Sequence, residues 1–182
     1  MSKVVIQGNA SGTGDFTIAA PNSNTDRTLT LPDAGGTLDR LDRAGNVLQV
    51  VHATTTTEVT LNNNTETDTT LTATITPSST SSKILILVNH PTNQKSNANS
   101  GNRGQFRLYR DSTEIDIVVD GGGYTASATF LRHSVSFQWY DSPSTTSAVT
   151  YKTTCQNAEN AAYYILQTNS SPSMMTLMEI AQ

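Results

Sequence analysis

Three stretches alternate between apolar and polar residues with a period of two: 27–31 (RTLTL), 70–76 (TLTATIT) and 132–139 (RHSVSFQW). A period of two puts every second side chain on one face of an extended strand, and no helix can gather such a set on one side. Threonine fills most polar positions of the first two stretches, and its branched Cβ packs well on a pleated surface. Ser and Thr make up about a quarter of the 182 residues, whereas Leu, Ile, Val and Phe make up only about a fifth. So thin an apolar supply borders on the composition of disordered chains. The mild net charge of −4 and the ordered alternation oppose that reading. The chain is expected to be all-β, an antiparallel sandwich or jelly roll, and to complete its burial at an oligomer interface.

Charged residues are 14% of the chain, and the eleven Lys and Arg residues form no run. A nucleic-acid groove needs clustered cations, so no nucleic-acid partner is expected. No apolar stretch approaches the ~18 residues of a membrane span, and MSKVVIQG lacks the length and cleavage site of a signal peptide. The chain is expected to be made in a cytoplasm and not to insert into a membrane. Cys155 is the single cysteine, which rules out an intrachain disulfide. It shares a strand face with Val149 and Tyr151, the position of a small core residue.

Two regions differ in pattern. Residues 1–38 hold short strands: KVVIQ, DFTIAAP with Phe16 and Ile18 on one face, and RTLTLPD with Leu29 and Leu31 on another. Turn chemistry joins the last two, and Pro32 and the glycine pair at 35–36 end the second. Residues 39–45 read as a charged linker. Residues 46–182 read as roughly eight longer strands. KILILVNH is nearly continuous in apolar residues and is expected to be buried on both faces. PTNQKSNANSGNRG reads as a long polar loop, QFRLYR and EIDIVVD as a hairpin turning at 111–113, and GGGYTASA as a second flexible loop. TFLRHSVSFQWYD is the longest expected strand.

Little in the sequence points to catalysis, and an enzyme is not expected. His52, His90 and His133 lie about forty residues apart, without metal-ligand spacing. His133 shares a face with Leu131, Val135, Phe137 and Trp139, which suits a hydrogen-bonded core histidine; a place on an oligomer axis is the sharper alternative. Glu114, Asp116 and Asp120 read as solvated strand-face charges, or as Ca²⁺ ligands together with loop carbonyls. No serine sits in G-x-S-x-G, and GGGY opens no helix, so neither a hydrolase elbow nor a phosphate cradle is present. No cofactor is expected. Tyr124, Tyr163 and Tyr164 are candidate sugar-stacking aromatics, with interface packing as the plainer reading.

GTGDFTIAAPNSNTDRTLTLPDAGGTL, at 12–38, resembles a short N-terminal module of tail-fibre and other virion proteins of tailed phages, chiefly cyanophages and marine phages. GNVLQVV, ITPSSTSSKILILV, FRLYRDSTEI, DSPSTTSAVTYK and LMEIAQ resemble the domain often found behind it. The resemblance implies a homotrimer located in the virion, with a trimeric jelly roll at the C-terminal end. It implies a short tail fibre or receptor-binding protein that attaches to other virion proteins through residues 1–38 and adheres to a host-surface glycan. Here the module begins at the first Met with no long shaft, which suits a short fibre or small virion component. A capsid decoration, cement or head-fibre protein is the alternative, and a polysaccharide depolymerase a weaker third. Strands this short cannot fold alone. Three copies could bury Phe16, Ile18, Leu29 and Leu31 together, with Asp26 and Arg27 pairing across chains and Pro32 and Asp33 fixing the exit.

Receptor contact is expected at the loops, which packing leaves free to meet partners. The loops before and after the 107–119 hairpin should emerge at one end of the sandwich, because a hairpin returns the chain to where it entered. Asn97, Asn99, Asn102 and Arg103 of the first loop, with Tyr124 of the second, are the candidate receptor contacts.

Overall fold

The computed structural model describes residues 43–159 and 162–182, together with 11–13 and 24. The chain divides into two units, Met1–Leu38 and Asp39–Gln182. Phe16, Ile18, Asp26, Arg27, Leu29, Leu31, Pro32 and Asp33 of the N-terminal module lie outside the described residues.

The second unit is all-β. Its strands are β1 (Val47–Thr55), β2 (Val59–Leu61), β3 (Thr67–Ile75), β4 (Lys83–Lys95), β5 (Gly104–Arg110), β6 (Thr113–Gly122), β7 (Leu131–Asp141), β8 (Val149–Asn157), β9 (Tyr164–Leu166) and β10 (Ser173–Ile180), with one 3₁₀ turn at Thr168–Ser170. The strands form two antiparallel sheets. Leaving aside the three-residue β2 and β9, the orders are β1-β10-β4-β7 and β3-β8-β5-β6. That interleaving is the double Greek key of a jelly roll. Each sheet contributes alternate side chains to a shared interior, as period-two sequences demand.

β4 is the longest strand, at 13 residues against 11 for β7. The sequence reading ended it at His90, before Pro91. It runs on to Lys95 because Pro91 and Thr92 form a bulge: the register with β7 shifts between His90 and Asn93. A bulge is one of the few places where a sheet tolerates a residue without an N–H. On its other edge β4 pairs with β10 along Lys83 to Asn89, then with β9 at Gln94 and Lys95. The expected long loop therefore shrinks to residues 96–103. β4 is also not buried on both faces. Ile84, Ile86 and Val88 are buried, whereas Leu85 and Leu87 are half-buried on the outward face.

Two apolar clusters fill the interior. The larger joins Leu71, Ile75, Ile84, Ile86, Tyr151 and Leu177 with their neighbours; the smaller joins Leu61, Phe106, Val135, Cys155, Tyr164 and Leu166. A polar seam crosses the sandwich beside them. Thr69 and Thr153 hydroxyls meet at 2.6 Å, His90 Nε2 lies 3.3 Å from Thr153 Oγ1, His90 Nδ1 lies 2.8 Å from Ser173 Oγ, and Gln167 Nε2 donates to Ser173 Oγ at 3.0 Å. All five residues are buried. Burial holds His90 neutral and lowers its pKa to about 4. The unfolded chain therefore binds more protons between pH 6.5 and 4, so this group's contribution to stability is lost as pH falls through that window.

Glu179 is fully buried on the inward face of β10. Burial alone would raise its pKa. Hydrogen bonds from the Ser78 hydroxyl (2.6 Å), the Gln49 amide (2.6 Å) and the Ser78 backbone N–H (2.7 Å) override that and hold the carboxyl at about 2. They tie the 76–82 connection to β1 and β10. A carboxylate held below its ordinary 4.5 contributes stability that is complete above that value and lost as pH falls toward 2. Glu179→Gln is expected to lose on the order of 3 kcal/mol at neutral pH and much less near pH 2. Denaturant titrations at both pH values check this; an equal loss at each would show that the charge is not the source.

Candidate functional site

β5 and β6 form the hairpin read from the sequence, with Asp111 and Ser112 as its two-residue turn. Because the strands are antiparallel, the chain enters β5 and leaves β6 at the same end. There Gly104 pairs with Gly122. The Tyr164 ring lies directly beneath Gly104 and leaves no room there for a side chain, and the fit at Gly122 is tight. A Cβ on Gly104 would sit 2.6 Å from Tyr164 Cζ, and one on Gly122 would sit 3.2 Å from Tyr164 Oη. Beyond Gly122 the chain turns sharply, with the Tyr124 N–H donating to the Gly121 carbonyl at 3.0 Å. Gly123 takes φ +74° inside this turn, a conformation that favours glycine.

The two loops meet on the outward side of this glycine pair. Arg103 Nε–H donates to the Asp120 carbonyl at 3.0 Å, and its Nη1 donates to the Gly101 carbonyl at 3.2 Å. Arg103 also lies 3.9 Å from Asp120 Oδ1, which accepts from Gln105 Nε2. Arg103, Asp120, Gly121 and Tyr124 line an open recess of about 660 Å³. Tyr124 is 56% exposed, so its ring stands free at the rim. The recess combines an aromatic face, a guanidinium and a carboxylate. Ligand sites use such a set, with a flat apolar surface for stacking and a few fixed polar groups for orientation.

Behind the recess, the outward face of the β5 sheet is a run of paired polar groups. Gln156 Nε2 donates to Gln105 Oε1 at 2.8 Å, and Arg107 Nη1 donates to Gln156 Oε1 at 3.1 Å. Arg107 lies 3.8 Å from Glu66 and 3.6 Å from Glu114. Tyr109 donates to Glu114 at 3.1 Å, and Lys152 bridges to Asp68 at 3.1 Å. Burial acts to raise the Glu66 pKa, but the Thr154 and Tyr109 hydroxyls and the Arg107 charge prevail, and the carboxyl sits below its ordinary value. Burial, with carboxylate acceptors nearby, raises the Tyr109 phenol.

The candidate contacts fall into three kinds. Arg103 and Tyr124 meet at the recess, as the hairpin argument required. Asn97 is exposed, and Asn99 is tied to Glu159 and to the Gly101 N–H; neither lines the recess. Asn102 is fully buried and donates to the Tyr163 carbonyl at 2.9 Å and Ser96 Oγ at 3.2 Å, so it shapes the loop and presents nothing to a partner. That corrects its assignment as a contact. The sequence reading missed Asp120 as a recess residue, although its place before three glycines marked the end of a strand. Glu114, Asp116 and Asp120 are not gathered: Glu114 serves Tyr109 and Arg107, Asp116 accepts from the Ile117 N–H, and Asp120 sits at the recess. Among the described residues no three His, Cys, Asp or Glu side chains could hold a metal ion.

The remaining candidates do not line the recess. Tyr164 is buried and Tyr163 is 36% exposed, the split expected of a strand. His133 is half-buried, and its Nε2 bonds to Tyr164 Oη at 2.8 Å, the hydrogen-bonded setting expected of it. Burial raises the Cys155 thiol well above its ordinary pKa. His90 lies within hydrogen-bonding distance of Ser173 and Thr153, but all three are sealed from solvent. Among the described residues no helix is long and apolar enough to cross a membrane. No family model matches the chain, and no curated protein matches it.

The close approach beneath the recess gives a direct check. Gly104→Ala is expected to cost about 1–3 kcal/mol, because the new methyl meets the Tyr164 ring. Gly121→Ala, with nothing within 4 Å, should stay within about 0.5 kcal/mol of the parent. Urea midpoints of the two variants measure the contrast.

Proposed function

We propose that the protein is a structural virion protein of a tailed phage, a short tail fibre or receptor-binding protein that adheres to a host-surface saccharide. The observation that carries the adhesive part is the convergence of Arg103, Asp120 and Tyr124 at one end of the sandwich. A sugar ring presents an apolar face and a rim of hydroxyls that both donate and accept. Tyr124 offers the stacking surface, Arg103 offers donors, and Asp120 offers an acceptor. The phage assignment rests on the motifs at 12–38 and on the set that follows them. The adhesive role needs no chemistry beyond binding.

The outward face of the β4 sheet supports assembly as a homotrimer. Its cross-strand neighbours form rows, Val50–Met178–Leu85–Tyr140 and His52–Thr176–Leu87–Gln138. Val50 and Tyr140 are 56% and 52% exposed. Burying such a row on each of three copies would add apolar burial that this thin core lacks. Three recesses would then act together, and weak saccharide contacts would gain avidity. The same face favours a second reading, a decoration protein seated on a capsid lattice. Adhesion to host cells separates the two, since a decoration protein should not bind them.

Two outcomes test this account. The intact protein is expected to scatter light as a particle of about 58 kDa, three copies of 19.5 kDa, and Met178→Lys is expected to reduce it to the monomer. A parent monomer of 19.5 kDa would contradict the trimer. Arg103→Ala combined with Tyr124→Ala is expected to lower adsorption to host cells about tenfold or more while leaving the assembly intact. Unchanged adsorption by the intact double variant would remove the recess as the receptor site.

A further inference from the structure

Tyr124 is held from both sides by basic groups inside the sandwich. Its predecessor Gly123 rests on the His133 ring: a Cβ there would lie 2.3 Å from His133 Nε2. Its successor Thr125 accepts a hydrogen bond from Lys95 Nζ at 2.5 Å, and Thr125 Oγ1 in turn donates to the Ser127 carbonyl at 2.8 Å. Lys95 is fully buried, and Thr125 is the one side-chain partner of its ammonium among the described residues. A buried ammonium with a single partner is an unusual use of a lysine, because desolvation opposes its charge.

Among the described residues no carboxylate pairs with His133. From β4 it faces Lys95, from β9 the Tyr164 hydroxyl, and from the 121–125 turn only glycine backbone. Arg132, its neighbour in β7, is exposed and donates to Gln94 at 3.0 Å. Neither His133 nor Lys95 is in an ion pair with a carboxylate among the described residues. Neutral His133 is well served: Nε2 accepts from Tyr164 Oη, and Nδ1 lies 3.4 Å from the Ser134 carbonyl. A proton on Nε2 would reverse the first bond, leave the buried Tyr164 hydroxyl proton without its acceptor, and set a second cation near Lys95.

We propose that His133 and Lys95 form a proton-operated latch on the 121–125 turn: with His133 neutral the turn is seated and Tyr124 stands at the recess, and with His133 protonated the turn is released. The latch regulates the recess described above, and its use in adhesion rests on that reading; its motion does not. Burial and the Lys95 charge both hold the His133 pKa below its ordinary 6.5, while the Ser134 carbonyl opposes them, so release falls on the acid side of that value. Adhesion therefore weakens as the medium turns acid.

Hydrogen exchange of the Tyr124 amide, corrected for the intrinsic rate, tests this on the intact protein without ligand. Between about pH 7.5 and about pH 5 the corrected rate is expected to rise about tenfold or more, while the Leu177 amide in the core keeps its protection. His133→Gln keeps an acceptor for Tyr164 and cannot titrate in this range, so its Tyr124 rate should stay flat. As a second arm, Lys95→Met removes the neighbouring charge, and the His133 ring titration, followed by NMR, should move to higher pH. A flat rate in the parent, an equal rise in His133→Gln, a simultaneous loss of Leu177 protection, or an unmoved His133 midpoint in Lys95→Met would overturn the latch. A latch that moves in a protein that binds no host saccharide at either pH would remove the receptor reading alone.

Discussion

The hydrogen-bond chain Thr69–Thr153–His90–Ser173–Gln167 is the constraint on which the rest of this sandwich depends. It runs between the two sheets beside their apolar clusters. With apolar side chains so few, part of the interior must be polar, and buried polar groups are tolerable only when paired. The chain fixes β4 against β8 and β10 at His90. Immediately beyond, the bulge at Pro91 and Thr92 redirects β4 toward β9. Pairing of Lys95 with Tyr164 then sets the tyrosine ring under Gly104 and Gly122. The recess is thus positioned by a core feature several residues away from any group that lines it.

The two outward faces divide the surface by chemistry. Over the β5 sheet, Arg107, Glu66, Glu114, Lys152 and Asp68 pair with one another along the strands. The more exposed of these, Lys152 with Asp68, adds little stability singly, whereas Arg107 is largely covered. These pairs keep that face hydrated and its side chains fixed behind the recess. Over the β4 sheet the row Val50–Met178–Leu85–Tyr140 is mostly apolar, and the row His52–Thr176–Leu87–Gln138 beside it is mostly polar. One face carries paired charges, and the other carries an apolar row whose ends, Val50 and Tyr140, are exposed.

Much of this was legible in the sequence because it is local. Alternation marked the strands and placed Cys155 and Tyr151 inside. The split of Tyr163 and Tyr164 followed from strand geometry, and the hairpin placed Arg103 and Tyr124 at one end. What was illegible depends on pairing between distant residues. Pro91 looked like a strand end, and only a bulge opposite β7 lets the strand continue. Asn102 looked like a surface amide, but the Tyr163 carbonyl and Ser96, brought in by β9 and β4, draw it inside. Lys95 lay within a supposed loop, so its burial beside Thr125 had no sequence signal. The near-continuous apolar run of β4 suggested cover on both faces, whereas its second face is the one proposed for partners.

Titration of the intact protein with oligosaccharides released from the host-cell surface, followed residue by residue by NMR, tests the central claim most directly. The account requires saturable shifts centred on Arg103, Asp120 and residues 121–125, with the β4 sheet face unaffected. Shifts confined to the row through Met178 and Leu85, or no saturable shift at the recess, would contradict it.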